Sequence, residues 1–363
     1  MTFKQFRSYC LQKVRSVTWR LDALSYEHNA HVRVRQIGGG YRGSTAEWRG
    51  VKQYWKRFGI RPKRVWYTLY CDGLGAYDPR FIPDTIWLHE IVPYFNSMHL
   101  IPAYTDKGIY HHLITGVRQP ETVVKRMAEH YINGDGEQPI SREEAERLCL
   151  LEDHLIFKPS GGRKGEGILF YDRDDKDSMT VPEIMDSIRG GFVAQRIVKQ
   201  HPDLARLNPS TLNTVRVISF YFKDQVYILS AQLRIGGANS RVDNYSAGGN
   251  AVAVKPDGSL YEKSVNHDME WVDTTPGGIK LSEVRIPNYQ EITDTIKRLH
   301  CQLPYFDIVG WDFAVGEDGT PVMIEFNIKP GQNQIGGKEP SFGDLTDEVL
   351  EEVFIRKNHS HKR

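Results

Sequence analysis

GWDFAVGEDGTPVMIEFN, residues 310–327, is the stretch that decides the fold. Two runs rich in apolar and β-branched residues flank Glu317-Asp318-Gly319, and Asp-Gly between such runs predicts a β-hairpin. Side chains two apart on a strand face the same side, so Glu325 and Asn327 share a face, with Asp312 across from them. Two carboxylates and one amide oxygen are hard ligands, a set that favours a Mg²⁺ ion bridging nucleotide phosphates.

The polar face of this hairpin also has a plainer interpretation, because alternating strands most often present their polar residues to solvent. Lys329-Pro330-Gly331 follows the second strand directly and turns it into a loop. Functional groups concentrate where strands end in loops, so this context favours a site.

Upstream of the hairpin, short β-branched and aromatic runs alternate with turns and predict further strands. These runs are HLIFKPS, GILFYD, GGFVAQRIV, NTVRVISFYF, QVYILSAQLRI and NAVAVKPDG. Periodic segments predict helices at 3–24, 45–58, 84–96, 121–131, 142–150, 289–302 and 344–356. The sequence therefore predicts an α+β fold whose first 105 residues are mostly helical.

A glycine-rich turn, FKPSGGRKGEGILF, lies at 157–170. Lys158 ends one predicted strand, and the glycines of 161–167 allow backbone N–H groups to approach a polyphosphate closely. Taken alone, such a turn is more often simply flexible. A strand follows it, which excludes a Walker loop and a dinucleotide fingerprint.

Two further segments carry candidate binding groups. The strand GFVAQRIV ends in Gln195 and Ile197 and suits a hinge on which an adenine lies, although an edge strand is the alternative. Arg216 and Arg234 lie on successive strands that we expect to pair antiparallel. Guanidinium forks suit phosphate and carboxylate oxygens, whereas surface ion pairing is the alternative for either arginine alone.

The order of these segments resembles the ATP-grasp superfamily, most closely its sugar-transfer-associated family, over residues 80–352. The motifs are specific in combination and weak singly. The resemblance implies an ATP-grasp fold in which two α+β subdomains clamp a nucleotide. It places the subdomain with a glycine-rich flap at 106–198 and the one with the magnesium site at 199–356, between a helical region 1–105 and a flexible tail 357–363.

The resemblance also implies a role for each matching residue. The cofactors are ATP and Mg²⁺, and the ion is held by Asp312, Glu325 and Asn327. The catalytic cations are Lys158, Arg216 and Arg234. The nucleotide is bound by Lys107 in YTDKGIY, Lys158, Ser160, Gly161, Gly162, Gly165, Gln195, Ile197, Asn244, Gly248 and Gly249. Many relatives place a ribose-binding carboxylate after the hinge, where this chain has Lys199-Gln200-His201; Asp203 is the remaining candidate.

The chemistry implied is ATP-dependent ligation of a small-molecule carboxylate and an amine through an acyl phosphate. A sugar acid or amino sugar and an amino acid are the expected substrates, in cell-surface polysaccharide synthesis. A kinase of the same fold and a non-catalytic ATP-binding regulator stay open as alternatives. His267 and Asp268 are candidates for a general base.

The composition limits which binding partners and which cellular location we expect for the protein. With 47 Lys and Arg against 46 Asp and Glu, the net charge of +1 provides no overall field for nucleic acid. Four separated cysteines and the lack of a long apolar stretch predict a cytoplasmic protein with no transmembrane segment. The basic N-terminal helix has two interpretations: it lies on a membrane surface, or it packs on its own domain. We favour packing on its own domain. Nothing indicates the oligomeric state.

Overall fold

The computed structural model describes residues 3–39, 43–71, 77–134, 138–162, 165–237, 241, 249–266, 269–337 and 339–356. The chain divides into two compact units. The first comprises residues 1–96, 268–270 and 331–363, and the second comprises 97–267 and 271–330. Among the described residues, no helix is both long and apolar enough to cross a membrane.

The first unit is helical. Its helices are α1 (Phe3–Gln36), α2 (Thr45–Lys56), α3 (Arg64–Tyr70), α4 (Asp84–Ile86), α5 (Val92–Phe95), α12 (Gln334–Gly337) and α13 (Thr346–Glu351). A π-helical turn, Trp87–Ile91, joins α4 to α5, so the predicted helix at 84–96 is confirmed. The predicted helix at 3–24 is also confirmed, and it continues to Gln36.

Aromatic side chains form the core of this unit. Trp55, Trp66 and Trp87 are buried, and the Trp55 indole N–H donates to the carbonyl of Pro79 at 2.9 Å. The described side chains of α1 contact their own unit: the Trp19 ring lies 5.2 Å from the His89 ring, and the Glu27 carboxylate binds the Lys63 ammonium at 2.5 Å. These contacts agree with the favoured interpretation for residues 19–36 of this helix.

The second unit contains two antiparallel sheets. The six-stranded sheet has the order β3-β2-β1-β6-β4-β5. Its strands are β1 (Thr122–Met127), β2 (His130–Asn133), β3 (Pro139–Ile140), β4 (His154–Pro159), β5 (Leu169–Asp172) and β6 (Phe192–Arg196). Helices α8 (Arg142–Leu150) and α9 (Val181–Ser187) supply the residues Ala145, Cys149, Ile184 and Met185 to its core. The predicted helix at 142–150 is confirmed.

The predicted helix at 121–131 is wrong. Residues 122–133 form the β1–β2 hairpin, and Ala128, with φ 52°, lies in the turn between the two strands. The β-branched Thr122, Val123 and Val124 favour an extended chain, and β1 gains a second partner in β6, which lies far along the sequence. Tertiary pairing therefore overrode the local helical pattern.

The seven-stranded sheet has the order β11-β10-β9-β8-β7-β12-β13. Its strands are β7 (Thr214–Phe222), β8 (Gln225–Ile235), β9 (Asn250–Ala253), β10 (Ser264–Val265), β11 (Trp271–Val272), β12 (Ile308–Val315) and β13 (Pro321–Asn327). Helix α11 (Tyr289–His300) packs Ile292, Ile296 and Leu299 into the core of this sheet. The short helices of the second unit are α6 (Ile101–Tyr104), α7 (Tyr110–Leu113) and α10 (Pro202–Ala205).

Both predicted pairings of this sheet are confirmed. β12 pairs antiparallel with β13, so that Asp312 lies opposite Glu325. β7 pairs antiparallel with β8, which places Thr214 opposite Arg234 and Arg216 opposite Gln232. β12 also pairs with β7 and sets Asp312 opposite Arg216.

Candidate functional site

A row of charged side chains crosses the middle of the seven-stranded sheet. Arg216 on β7, Asp312 on β12 and Glu325 on β13 are direct cross-strand neighbours. The Arg216 guanidinium binds Asp312 as a fork, with Nε on Oδ1 and Nη2 on Oδ2 at 2.5 Å. Arg234 Nη1 lies 3.6 Å from the same Oδ2. The sheet therefore brings both arginines onto one carboxylate.

Asn327 lies beside Glu325 at the end of this row. It lies opposite Gly310, and its amide nitrogen donates to Glu325 Oε1 at 3.5 Å. A Cβ at Gly310 would come within 2.9 Å of Pro330, so this position accepts only glycine beside the loop that follows β13. The three predicted metal ligands thus lie together on one face.

A β-bulge shapes this face. Asp312 pairs with Glu325 while Phe313 pairs with Met323, which leaves Ile324 as the extra residue of β13. Ile324 lines the same cavity as Lys107, and Lys107 also lies beside Glu325. Simple alternation would send Ile324 and Glu325 to opposite faces. The bulge interrupts that alternation at Ile324, which lines the cavity, a feature that the sequence analysis missed.

The surroundings of Asp312 and Glu325 shift the pKa values of these two carboxyl groups in opposite directions. Burial alone would raise the pKa of Asp312, which is 3% exposed, but the charges of Arg216 and Arg234 hold it below its usual range. Burial and the neighbouring Asp312 charge raise the pKa of Glu325. One fixed anion therefore stands beside a second carboxyl group whose ionised form needs a cation.

Lys107 approaches this pair from a short helical turn that precedes β1. The Asp106 carboxylate accepts from the Gly108 N–H at 2.8 Å and begins the 3₁₀ turn Lys107–Ile109, which leads into α7. The Lys107 ammonium lies 3.9 Å from Glu325 Oε2 and donates to the Gly162 carbonyl at 2.7 Å. It therefore connects the flap, defined here as residues 161–167, with the acidic pair.

An inner cavity of about 40 Å³ gathers several of the predicted nucleotide residues. Lys107, Lys158, Gln195 and Ile324 line it, so cations from two segments and the hinge glutamine converge with β13. The Gln195 amide nitrogen also donates to Thr122 Oγ1 at 3.2 Å. Two lysines and the hinge glutamine therefore border one space.

An outer cavity of about 400 Å³ adjoins it, and Gln119 and Pro120 line both. Ile197 lines the outer cavity and not the inner one, so the two hinge candidates lie in adjoining spaces. Lys199 and Glu317 also line the outer cavity. Three carboxylates line the outer cavity beside Ile197, those of Glu121, Glu317 and Asp318, whereas Asp203 does not line either cavity.

The flap leaves β4 through a tight glycine turn. Gly165 and Gly167 both have φ 72°, the left-handed region that favours glycine, and a Cβ at Gly167 would meet Pro159 at 3.0 Å. Gly161 has open space around it. Ser160 is buried with its hydroxyl beside Gly191, and its carbonyl accepts from the Lys107 N–H at 3.2 Å. Ser160 thus reaches the site through its backbone.

The described residues that follow β8 are Gly236, Gly237, Arg241 and Gly249. The Asn208 side-chain amide donates to the carbonyls of Gly236 and Gly237 at 2.9 Å each. Arg241 reaches β5, where it stacks 3.9 Å from the Phe170 ring centroid and binds Asp172 at 2.6 Å. Gly249 is buried. Arg241 therefore contacts the strand that follows the flap.

Several predicted residues lie outside the described part of the chain. They are Asn244, Gly248, His267 and Asp268, together with the tail 357–363. Within the described residues, no group of three or more His, Cys, Asp or Glu side chains could hold a metal. The donor set of Asp312, Glu325 and Asn327 still fits Mg²⁺, because this ion is commonly held by one or two carboxylates plus substrate phosphates.

The chain matches the family described as sugar-transfer associated ATP-grasp over residues 88–346, which is more than half of its length. Two antiparallel sheets with helices give the α+β ATP-grasp fold. The chain belongs to the sugar-transfer-associated ATP-grasp family. No curated protein sequence matches it.

Solved structures of similar fold include the ATP-grasp ligase PsnB complexed with a minimal precursor, Mg and ADP, at 14% identity and a TM-score of 0.40. That alignment covers 71% of this chain and 62% of the PsnB chain, so less than two thirds of PsnB is spanned. D-alanine–D-alanine ligase from Bacillus anthracis is 14% identical over 74% of this chain and 72% of its own, with a TM-score of 0.40. The D-cycloserine synthetase DcsG is 14% identical over 72% and 73%, with a TM-score of 0.39.

Proposed function

We propose that this protein is an ATP-dependent carboxylate–amine ligase that forms an amide through an acyl phosphate and releases ADP. The observation that carries the proposal is the row of Arg216, Asp312 and Glu325, with Lys107 3.9 Å from Glu325. Fixed acids beside fixed cations suit a metal-bound polyphosphate better than a solvated strand face. Membership in an ATP-grasp family supports the same chemistry.

Asp312, Glu325 and Asn327 would hold a Mg²⁺ ion, which supplies charge neutralisation at the β- and γ-phosphate oxygens. Lys107 and Lys158 would bind the phosphates from the cavity wall opposite β13. Gln195 would bind the adenine amine, and Ile324 would pack against the base. The glycine flap and Gly249 would enclose the phosphates through their backbones.

In the first step a carboxylate oxygen of the substrate attacks the γ-phosphorus of ATP. The bond from that phosphorus to the bridging oxygen breaks, and ADP leaves with the electron pair. Arg216 and Arg234 would bind the transferred phosphoryl oxygens, and Lys158 would stabilise the charge on the leaving ADP. Positioning and charge neutralisation supply most of the rate in such a transfer.

In the second step the amine nitrogen attacks the acyl carbon and phosphate leaves, while the excess amine proton passes to solvent. Arg216 would stabilise the oxyanion of the tetrahedral intermediate, a contact whose loss typically costs about 3–4 kcal/mol. The flap would exclude water, which otherwise hydrolyses the acyl phosphate. The hydrogen bond from the Lys107 ammonium to the Gly162 carbonyl supports this role.

The two sheets support the proposed division into clamping subdomains at 106–198 and 199–356, since the six strands lie within 122–196 and the seven within 214–327. The family description supports substrates from sugar-polymer assembly, a sugar acid or amino sugar joined to an amino acid. Free thiols at Cys71, Cys149 and Cys301 support a cytoplasmic setting.

The test is an ADP-release screen that pairs uronic acids and amino sugars with amino acids, with products identified by mass spectrometry. Wild-type protein should release ADP and phosphate only when carboxylate and amine are both present. The double variant Asp312→Ala, Glu325→Ala should lose turnover by at least about 10³-fold, because the metal and its charge are lost.

The matched control is Glu291→Ala, Asp294→Ala, which removes one Glu and one Asp that are exposed on α11. Its turnover should equal that of the wild type. A stable phosphoester as the product would show that the activity is that of a kinase and would contradict the proposed ligase activity. An unchanged rate in the Asp312, Glu325 double variant would overturn the proposed site.

A further inference from the structure

A buried lysine lies beneath the wall of the inner cavity. Lys125 on β1 is 4% exposed, and its ammonium nitrogen lies 3.2 Å from His111 Nε2 and 3.3 Å from the Gly108 carbonyl. Lysine is almost never this buried unless its charge is engaged. These contacts connect β1 with the segment that carries Lys107.

The contact determines which nitrogen of His111 carries the proton. A lysine ammonium has three donors and no acceptor, so His111 Nε2 accepts the hydrogen bond. The ring is then neutral with its hydrogen on Nδ1. Lys125 therefore fixes His111 as a donor through its other nitrogen.

His111 also lines the inner cavity together with Lys107, Lys158 and Gln195. It follows Lys107 by four residues, a spacing that puts two side chains on the same side of a helical segment. The phosphate-binding lysines and the hinge glutamine therefore border the space in which His111 lies. An N–H donor on a residue that lines this space is chemically suited to an acceptor on the base or to an α-phosphate oxygen of a nucleotide.

We propose that His111 is a nucleotide-binding residue and that Lys125 is its positioning residue. This inference rests on the proposed ATP site and adds a contact to it. The His111 Nδ1–H donates to an acceptor of the nucleotide, which is either N7 of the purine or an α-phosphate oxygen. Lys125 acts through His111 by holding the ring in the donating tautomer.

The test measures the dissociation constant of the Mg²⁺ complex of AMPPNP for the full chain by calorimetry. His111→Ala should weaken binding about tenfold, the effect of one lost hydrogen bond to a bound ligand. His111→Asn should recover most of the affinity, because the Asn amide nitrogen occupies nearly the position of Nδ1. His130→Ala, which removes an exposed histidine on β2, should bind like the wild type.

A double-mutant cycle separates positioning from a structural role. Lys125→Met should weaken binding in the wild-type background and have no further effect in the His111→Ala background. Equal effects of Lys125→Met in both backgrounds would show that Lys125 only supports the fold, and this part of the proposal would fail. Thermal unfolding of each variant confirms that it is folded.

Two nucleotides distinguish the acceptors. If N7 accepts, 7-deaza-ATP should bind the wild type and His111→Ala with equal affinity, while ATP shows the tenfold difference. If the α-phosphate accepts, both nucleotides should show the difference. If His111→Ala binds with wild-type affinity while Lys158→Ala loses binding, this inference alone is overturned. If the wild type itself does not bind the nucleotide, the proposed function is overturned.

Discussion

Asp312 stands between two guanidinium groups inside the sheet, and its own side chain has almost no contact with water. Arg216 binds it as a fork, and Arg234 approaches within 3.6 Å. Such a buried pair contributes little net stability compared with apolar residues, but breaking it leaves a charge without compensation. The two arginines therefore keep the Asp312 carboxylate ionised, and its burial is tolerated only while they are present.

Removal of Arg216 should destabilise the protein strongly. Arg216→Ala leaves Asp312 buried with only the more distant Arg234, so the free energy of unfolding should fall by about 3 kcal/mol. Arg118→Ala is the control, because the Arg118–Asp318 pair is about half exposed and should contribute less than about 1 kcal/mol. Urea unfolding followed by tryptophan fluorescence measures both. Similar losses in the two variants would contradict the role of burial.

At the scale of single elements, two irregularities shape the site: the bulge in β13 and the glycine turn of the flap. The bulge leaves Ile324 without a cross-strand partner in β12, and this residue lines the inner cavity. Before β5, Gly165 and Gly167 both adopt a positive φ, a backbone conformation that other residues rarely adopt. Both features depend on the local path of the backbone.

The two ends of the flap should respond differently to alanine. Gly167→Ala should lower the free energy of unfolding by about 1–2 kcal/mol, because its φ of 72° strains an L-residue and its Cβ meets Pro159. Gly161→Ala, in open space, should be neutral or stabilise the protein by up to about 1 kcal/mol. Chemical denaturation compares the two. A loss at Gly161 equal to that at Gly167 would refute the strain argument.

Most elements of the second unit could be predicted from the sequence, and the exceptions have a physical cause. The strands of the hairpin at 310–327 and helix 142–150 carry strong local signals, Asp-Gly in the turn and Ser141 as a cap. The segment 121–131 mixes β-branched and charged residues, so its local pattern was ambiguous. Its pairing with β6, some 70 residues away, decided it.

On the scale of the whole molecule, a polar network lies in the core between α11 and the seven-stranded sheet. Ser219 accepts from the Trp311 indole N–H at 2.8 Å and lies 2.7 Å from His300 Nδ1. His300 Nε2 lies 3.1 Å from the Phe306 carbonyl, so the ring fits as a neutral donor through Nε2. Burial lowers the pKa of His300 from 6.5 to about 4.

This histidine should make stability depend on pH. Because the folded pKa lies below the unfolded one, the unfolded state binds more protons in between, and stability falls as pH drops from about 6.5 to about 4. The loss should reach about 3 kcal/mol. Asp307, whose pKa burial raises to about 6, acts in the opposite direction, so a variant comparison is needed.

His300→Gln keeps a donor for Phe306 and removes the titration. It should be less stable than the wild type at pH 7, and the difference should shrink as pH falls through the window. His130→Gln, at an exposed site, should follow the wild-type profile. Urea unfolding at a series of pH values measures the difference. A constant gap between His300→Gln and the wild type would exclude His300 as the titrating group.

The sequence alone determined the local features: the hairpin, most strands and helices, and the residue types of the proposed magnesium and phosphate site. These follow from periodicity and turn chemistry, which act over a few residues. Only the tertiary structure decided that Arg216 and Arg234 share Asp312, that Ile324 bulges toward the cavity and that Lys125 supports His111. Those relations depend on strand register and on burial between distant segments, and no short stretch of sequence encodes either.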